Sequence, residues 1–391
     1  MKKWIDPNTI IGSPAQGSHY LHRQEIEDEF WKNIKKGSHL LFVAPRRVGK
    51  TSVMQYQEAN PMPGNVCLYE NIESVKSKNE LFKRLFEMVL KCANNSGKVT
   101  SWIKGVVSKY SITDISVSGA IKIGRKDIDF SVEFWALLDS FKKEMKDTIV
   151  LFLDEFPEVI NKLVKAGKTE EAGDILHSLR ELRHDKSFKH FKMVIAGSIG
   201  LHYLVKRVDR PKLINDIAPQ HIPPLTQPEA VELIAQLTHG ATVQYNAVQT
   251  ELVLKKVVHY LPYHLQLMLD EINRLAKAEG KPDVTEKIVD TAFKNIVKVN
   301  KNFEDWMIRL KDTYLGDYKF INEVLCECAR NNQLAIQQIM DIAAKHNLDN
   351  DFINLLDDLC ADGYLSEDDD RIYRFISPFL QQYWIRKNPT R

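Results

Sequence analysis

The stretch Gly37 to Met54 reads G-S-H-L-L-F-V-A-P-R-R-V-G-K-T-S-V-M. His39 to Ala44 is a short apolar run of strand type, Ala44 to Gly49 is a turn, and Lys50 to Glu58 can carry a helix. Strand, turn and helix in that order suit a triphosphate. Such a ligand needs converging backbone N–H groups, a helix N-terminus pointing at it, an ammonium near the β and γ phosphates, and a hydroxyl on magnesium. Gly49, Lys50 and Thr51 stand at the required spacing, with Pro45, Arg46, Arg47, Val48 and Ser52 making up the rest of the cradle. The pattern asks for glycine at its first position, where this chain has Ala44. The loop is therefore expected to begin in a conformation that alanine tolerates.

A second stretch completes the first. Thr148 to Phe156 reads T-I-V-L-F-L-D-E-F, five apolar residues in a row followed by two carboxylates. A run of that kind is a strand buried on both faces, as a central parallel strand must be. In a parallel α/β sheet, ligands sit at the carboxyl edge, which would bring Asp154 and Glu155 beside the phosphate loop. Asp154 is expected to hold Mg²⁺ together with Thr51, and Glu155 to orient or deprotonate the attacking water. Lys192 to Gly197 (K-M-V-I-A-G) reads as another buried strand, ending in Ser198, whose hydroxyl would sense the γ-phosphate or the water.

Length and composition set the frame around these motifs. The chain has 391 residues, 44% of them hydrophobic, enough for two or three domains. No apolar run approaches the length of a membrane span and the N-terminus lacks an apolar signal core, so a cytoplasmic protein is expected. Five cysteines without C-x-x-C spacing read as reduced thiols. Lys and Arg (54) nearly cancel Asp and Glu (52), so net charge does not identify a partner.

Along the chain, Asn8 to Gln24 is a loop-like lead holding Tyr20 and Arg23, and an amphipathic helix follows from Glu25 to about Lys36. Val66 to Ile72 reads as a strand and Asn79 to Asn94 as a helix with Leu81, Leu85, Met88 and Val89 on one face. From Ser111 to Val132 the period changes to two around Gly119 and Gly124, as in a β insertion, and Phe134 to Met145 reads as a helix. Gly173 to His184 is a helix carrying Arg180 and Arg183, and Asp216 to Pro224 a short last strand. The alternation argues for one parallel sheet covered on both sides.

Beyond Thr226 the β signal disappears. Gln227 to Thr238, Thr250 to Tyr260, Tyr263 to Ala278 and Thr285 to Lys298 read as a small helical bundle. The chain then gives helices at Tyr318 to Arg330, Ala335 to Lys345 and Asp349 to Ala361. Gly363 caps the last, and Tyr364-Leu365 and Ile372 to Phe375 form a hairpin, the pattern of a winged helix-turn-helix.

Taken together, the lead S-P-A-Q-G-S-H-Y-L-H-R-Q-E-I, the loop A-P-R-R-V-G-K-T-S, the strand V-L-F-L-D-E-F, the segment V-I-A-G-S-I-G-L and the ending D-G-Y-L…Y-R-F-I-S-P-F-L-Q-Q-Y-W resemble the archaeal-type ATPases. These are a branch of the STAND class, related to AAA+ and origin-recognition proteins. The resemblance covers nearly the whole chain. It implies an α/β fold with a three-layer P-loop NTPase core, parallel strands in the order 5-1-4-3-2, a helical lid and a C-terminal winged helix. The corresponding domains would be 1–224, with the β insertion at about 111–132, then 225–300 and 301–391. By position, Lys50 and Thr51 would bind phosphates and Mg²⁺, Asp154 and Glu155 would be the Walker B pair, and Ser198 would take the sensor-1 place. Arg23 matches the arginine after the family's lead glycine, and Pro262 the proline of a lid motif near the base. The chain departs from the family at Ala44, at His22 and at Tyr260, each standing where glycine is usual. The cofactors implied are ATP and Mg²⁺.

What the resemblance implies about function is a slow ATPase switch, hydrolysing ATP to ADP and phosphate and passing its state through lid and winged helix to a protein partner. The alternative is a DNA-associated ATPase of the origin-recognition or transposition-regulator kind. Against it, the third helix region carries Asp349, Asp351, Asp357, Asp358 and Asp362 with no basic residue, and the wing carries Glu367, Asp368, Asp369 and Asp370 against Arg371 and Arg374. A basic stretch at Lys98, Lys104, Lys109, Lys122, Arg125 and Lys126 leaves DNA binding elsewhere open. Homo-oligomerisation is open too, as is the choice of an arginine finger among Arg180, Arg183, Arg207 and Arg210.

Overall fold

In the computed structural model, which describes residues 3–95, 112–115, 121–123, 128–141, 147–197, 200–299, 302–348 and 351–389, the run after Thr148 is a strand. Its Ile149, Val150, Leu151, Phe152 and Leu153 are all at 0% exposure. Each such side chain withdrawn from water contributes about 1.5–3 kcal/mol, which places the run at the centre of a sheet. The unit formed by Gln24–Val43 and Val53–Gln220 is built on it. The chain's strands begin with β1 (His39–Val43), β2 (Asn65–Asn71), β3 (Ile112–Ile115), β4 (Ile121–Ile123), β5 (Thr148–Asp154), β6 (Phe191–Ala196) and β7 (Ile217–His221). β3 and β4 form a separate antiparallel ribbon, and the other five make one sheet in the order β2-β5-β6-β1-β7. Counting the sheet strands alone, that is the expected 5-1-4-3-2. β2–β5, β5–β6 and β6–β1 are all parallel.

Parallel neighbours need crossovers, and helices supply them. α1 (Gln24–Lys35) precedes the first strand, and the crossovers run through α2 (Lys50–Ala59), α3 (Lys78–Asn95), α4 (Phe130–Phe141), α5 (Phe156–Lys165), α6 (Thr169–His184) and α7 (Leu201–Arg207). Strand alternation sends side chains to two covered faces. Leu41, Leu151, Leu153, Met193 and Ile195 join the core under α3 to α7. Phe42 and Phe152 point the other way, to Phe30 of α1 at ring separations of 6.2 and 5.6 Å. The result is the three-layer α/β/α core expected from the sequence.

Met1–Arg23, Ala44–Ser52 and His221–Arg391 form the other compact unit. It contains α8 (Gln227–Thr238), α9 (Ala247–Val257), α10 (Pro262–Glu279), α11 (Glu286–Val299), α12 (Asn302–Thr313), α13 (Tyr318–Asn331), β8 (Leu334–Ala335), α14 (Ile336–Lys345), α15 (Asp351–Ala361), β9 (Leu365–Glu367), β10 (Ile372–Phe375) and α16 (Pro378–Lys387). β8, β10 and β9 make an antiparallel sheet in that order beside α13 to α15. Trp306, Tyr314, Phe303, Phe379 and Trp384 are buried in its core. The lead runs along the helices here: Asn8 N donates to Leu237 O at 2.7 Å and Ile10 N to Gln266 Oε1 at 2.6 Å.

Two expectations need correction. α4 begins at Phe130 and not at Phe134, because Asp129 Oδ1 accepts from Ser131 N at 2.9 Å and Asn79 Oδ1 from Phe130 N at 2.8 Å. The period-two pattern therefore stops short of Val132, and the strands seen in the described part of the β insertion are β3 and β4. Second, α5, α7, α12 and α16 are additional helices. α16 starts on a side-chain cap, Leu380 N donating to Ser377 Oγ at 3.2 Å, with Pro378 in its first turn.

Candidate nucleotide site

β1 delivers the chain to the loop with four of its five residues buried. Ala44 is not among the residues with positive φ, so the first loop position accepts alanine as expected. The left-handed positions are Gly49, at φ +102, and Arg47, at φ +67. Nothing stands within 4 Å of a Cβ built on Gly49, so its backbone angle, not crowding, is what calls for glycine. α2 starts at Lys50, pointing its first N–H groups at the loop. Lys50, 8% exposed, donates from Nζ to Ala44 O at 2.8 Å and Pro45 O at 3.2 Å. Thr51 is half-buried beside it. Ser52 Oγ accepts from Ala15 N at 2.9 Å, which ties the lead to the first turn of α2.

The two loop arginines are held by aromatic rings that the motif does not predict. Arg46 lies over Trp306, 5.3 Å from the ring centroid, and Arg47 over Tyr263 at 4.7 Å. Arg47 Nη2 also donates to Asn302 Oδ1 at 3.3 Å, and Asn302 in turn bonds the Tyr263 hydroxyl. Contacts of this type contribute about 0.5–2 kcal/mol each, more as they lose water. They engage the side chain of a residue whose backbone is left-handed. Pro262 is at the first turn of α10, next to Tyr263, so the expected lid proline stands one residue from the ring under the loop.

Asp154, 2% exposed, ends β5. Its Oδ2 accepts from the Tyr69 hydroxyl at 3.0 Å and its Oδ1 from Glu155 N at 3.1 Å. Both bonds hold the carboxyl group in one orientation. Burial first, then the Asp154 charge, pushes the Tyr69 hydroxyl well above its ordinary range, so it stays a donor. Glu155 sits at φ +60 as the N-cap residue of α5, a left-handed turn that swings its side chain away from the strand direction. Register places the strand ends together: Phe42 pairs with Ala196, and Leu153 with Ile195 one step before it. β1 and Asp154 thus finish on opposite sides of β6 at the same carboxyl edge, about 10 Å apart by strand spacing.

The other expected site residues are distributed as follows. Arg23, 7% exposed, donates to Glu229 Oε1 at 3.0 Å and to the Pro223 and Pro224 carbonyls at 2.8 and 3.2 Å, pinning the lead to the start of α8. Glu229 also closes the capping box with Thr226. Ser198 lies outside the described residues. Of the finger candidates, Arg183 is engaged with Asp216, Nε to Oδ2 at 2.6 Å, and with Leu213 O. Arg207 lies 6.0 Å from the Tyr203 ring, and Arg210 donates to Asp209 O at 3.2 Å. Arg180 Nη1 is buried without a hydrogen-bond partner. Tyr69, Tyr263, Asn302 and Trp306 were not legible as site residues, because no spacing rule links them to the loop or to Asp154.

No protein-family model and no curated protein matches this chain. Solved structures do. The Walker-type ATPase of Pyrococcus abyssi superimposes over 96% of this chain and 99% of its own at a TM-score of 0.63 and 16% identity. The ORC2 protein of Aeropyrum pernix, solved in ADPNP–ADP complexes, covers 100% of this chain and 98% of its own at a TM-score of 0.50 and 13% identity. Likeness at such identity speaks for architecture: the chain has the fold of an archaeal Walker-type P-loop ATPase.

Proposed function

We propose that this chain binds ATP with Mg²⁺ and hydrolyses it slowly to ADP and phosphate, working as a nucleotide-dependent switch read by a protein partner. The observation that carries the reading is the shared carboxyl edge of β1 and β5, with the oriented Asp154 at the end of one and the loop following the other. In this reading the loop from Pro45 to Ser52 cradles the phosphates, its N–H groups supplied from Arg46 onward, and Lys50 leaves the Ala44 and Pro45 carbonyls to meet them. Thr51 and Asp154 hold Mg²⁺, which supplies charge neutralisation on the phosphates when bound. Glu155 orients the attacking water, with Ser198 as its partner. Arg23 and Pro262 shape the base side, Arg23 by fixing the lead.

The division into a core at 1–224, a lid at 225–300 and a winged helix at 301–391 belongs to the same proposal. Switching requires a ligand that favours one of two states, and nucleotide at the loop would be that ligand. At the winged helix, charge favours a protein partner over DNA. α15 turns Asp351 and Asp357 outward, and both wing arginines are neutralised, Arg371 by Glu367 at 2.9 Å and Arg374 by Asp368 at 2.5 Å. Asp358 and Asp362 face inward, so they do not add to the outer acidic surface counted from the sequence.

The test is steady-state ATP hydrolysis by the wild type, Lys50→Ala and Glu155→Gln. Loss of turnover in both variants, with Glu155→Gln still binding ATP and Lys50→Ala binding it weakly, is expected. Equal rates in all three remove the assignment.

A further inference from the structure

Asp362 and Gly363 follow the last turn of α15 and belong to the unit that contains the phosphate loop. Gly363 has φ +81, and a Cβ there would stand 2.6 Å from Pro45 Cβ, 2.8 Å from Pro45 Cα and 3.2 Å from the Arg46 nitrogen. Two of the three atoms are backbone, so only glycine lets this helix end rest on the loop. The turn is locked from behind. Asp362 N donates to Asp358 O at 2.8 Å and Tyr364 N to Leu359 O at 2.9 Å. The Tyr364 hydroxyl donates to the carbonyl of Trp306 at 2.8 Å, and Trp306 is the ring that carries Arg46. The Asp362 carboxylate is 6% exposed and accepts from the Tyr314 hydroxyl at 2.9 Å. The titratable and charged groups around it are Asp358 on its own helix, Tyr314 from the α12–α13 turn, Tyr364 next in the chain, and Lys50 and Arg46 from the loop and α2. A helix C-terminus also carries partial negative charge on its last carbonyls. A helix end with partial negative charge and a buried carboxyl is thus set against a loop whose cations are those a triphosphate would use.

We propose that Asp362, held on the loop by the Gly363 contact, is an internal anion that competes with nucleotide phosphate for Lys50 and Arg46 and so sets nucleotide affinity. This rests on the nucleotide-binding reading and names the residue that tunes it. Burial first, then repulsion from Asp358, raises the Asp362 carboxyl to about 8, while the Tyr314 bond, Lys50 and Arg46 draw it down. Phosphate that engages Lys50 and Arg46 removes support for the carboxylate. Nucleotide binding therefore takes up a proton at Asp362, and affinity weakens as pH rises through that value.

Calorimetric titration of the full chain with ATP and Mg²⁺ tests this, comparing wild type, Asp362→Asn, Gly363→Ala and Lys50→Ala between about pH 7 and about pH 9. Asp362→Asn keeps an acceptor for Tyr314 and is expected to bind ATP roughly tenfold tighter at the alkaline end, where wild-type affinity falls and the variant's stays level. Gly363→Ala drives α15 off Pro45 and tightens binding too, which decides the matter should Asp362→Asn not fold. A gain in affinity is a change that general damage to the fold does not produce. If wild type binds ATP, Lys50→Ala does not, and neither other variant gains affinity or alters the pH profile, the competition is refuted while the nucleotide reading stands. If wild type binds no ATP and Lys50→Ala makes no difference, both fall.

Discussion

Tyr69 and Gly197 show how single residues set the site's geometry within the sheet unit. The Tyr69 hydroxyl donates to Asp154 Oδ2, and removing it loosens the hold on that oxygen. Tyr69→Phe is expected to lower ATP turnover about fivefold, the equivalent of about 1 kcal/mol, with ATP affinity nearly unchanged. A kcat and KM comparison checks it, and a change confined to KM would contradict it. Gly197, which follows β6, faces Pro157 in the first turn of α5: a Cβ at 197 would stand 2.5 Å from Pro157 Cδ. The proline ring is rigid, so Gly197→Ala displaces α5, with an expected loss of about 1–3 kcal/mol in stability by denaturant titration. Neither residue is part of a spacing pattern; each matters because a neighbouring strand or helix brings it to the carboxyl edge.

At the level of elements, β1 carries a pH sensitivity. His39 is 8% exposed, and its Nδ1 accepts from Met193 N at 3.1 Å on β6. Burial, with Lys192 and Arg183 adding repulsion, lowers its pKa from 6.5 to about 4. The folded state thus binds this proton less readily than the unfolded one. The stabilisation is complete above the ordinary histidine range and is lost as pH falls from there towards about 4. Denaturant titrations across that window should show a decline on the order of 2 kcal/mol that is absent in His39→Gln. Elements of this kind were largely legible in the sequence. β5 and β6 announce themselves by the apolar runs Ile149 to Leu153 and Met193 to Ala196, and Leu81, Leu85, Met88 and Val89 mark the inner face of α3, all at 2% exposure or less. α5 was hidden because the strand motif D-E-F runs into it, and a left-handed Glu155 turns the chain within a single residue. α4 was shortened because its cap, Asp129, stands inside a stretch that alternates like a strand.

For the molecule as a whole, charge on the C-terminal segment bears on how it would meet DNA. Arg371 and Arg374 are paired within the wing, and α15 shows carboxylates outward. Duplex DNA titrated at two salt concentrations, with and without ATP, should therefore give the same salt slope for wild type and for Arg371→Ala with Arg374→Ala. A shallower slope in the double variant would place phosphate contacts on the wing. Among the described residues no helix is long and apolar enough to cross a membrane. The amino-acid sequence by itself determined the α/β class, the phosphate-loop and Asp-Glu motifs and most helix positions, because each depends on neighbours in the chain: apolar period, caps, and a glycine at a left-handed turn. Only the tertiary structure decided that Arg23 is spent on Glu229, that Tyr69 steadies Asp154, and that Trp306, Tyr263 and Gly363 settle on the loop. Those pairings join residues far apart in the chain, as Pro45 and Gly363 are. Nothing in the local chemistry of either partner encodes the other; packing of separate elements brings them together, and it is complete only when the chain has folded.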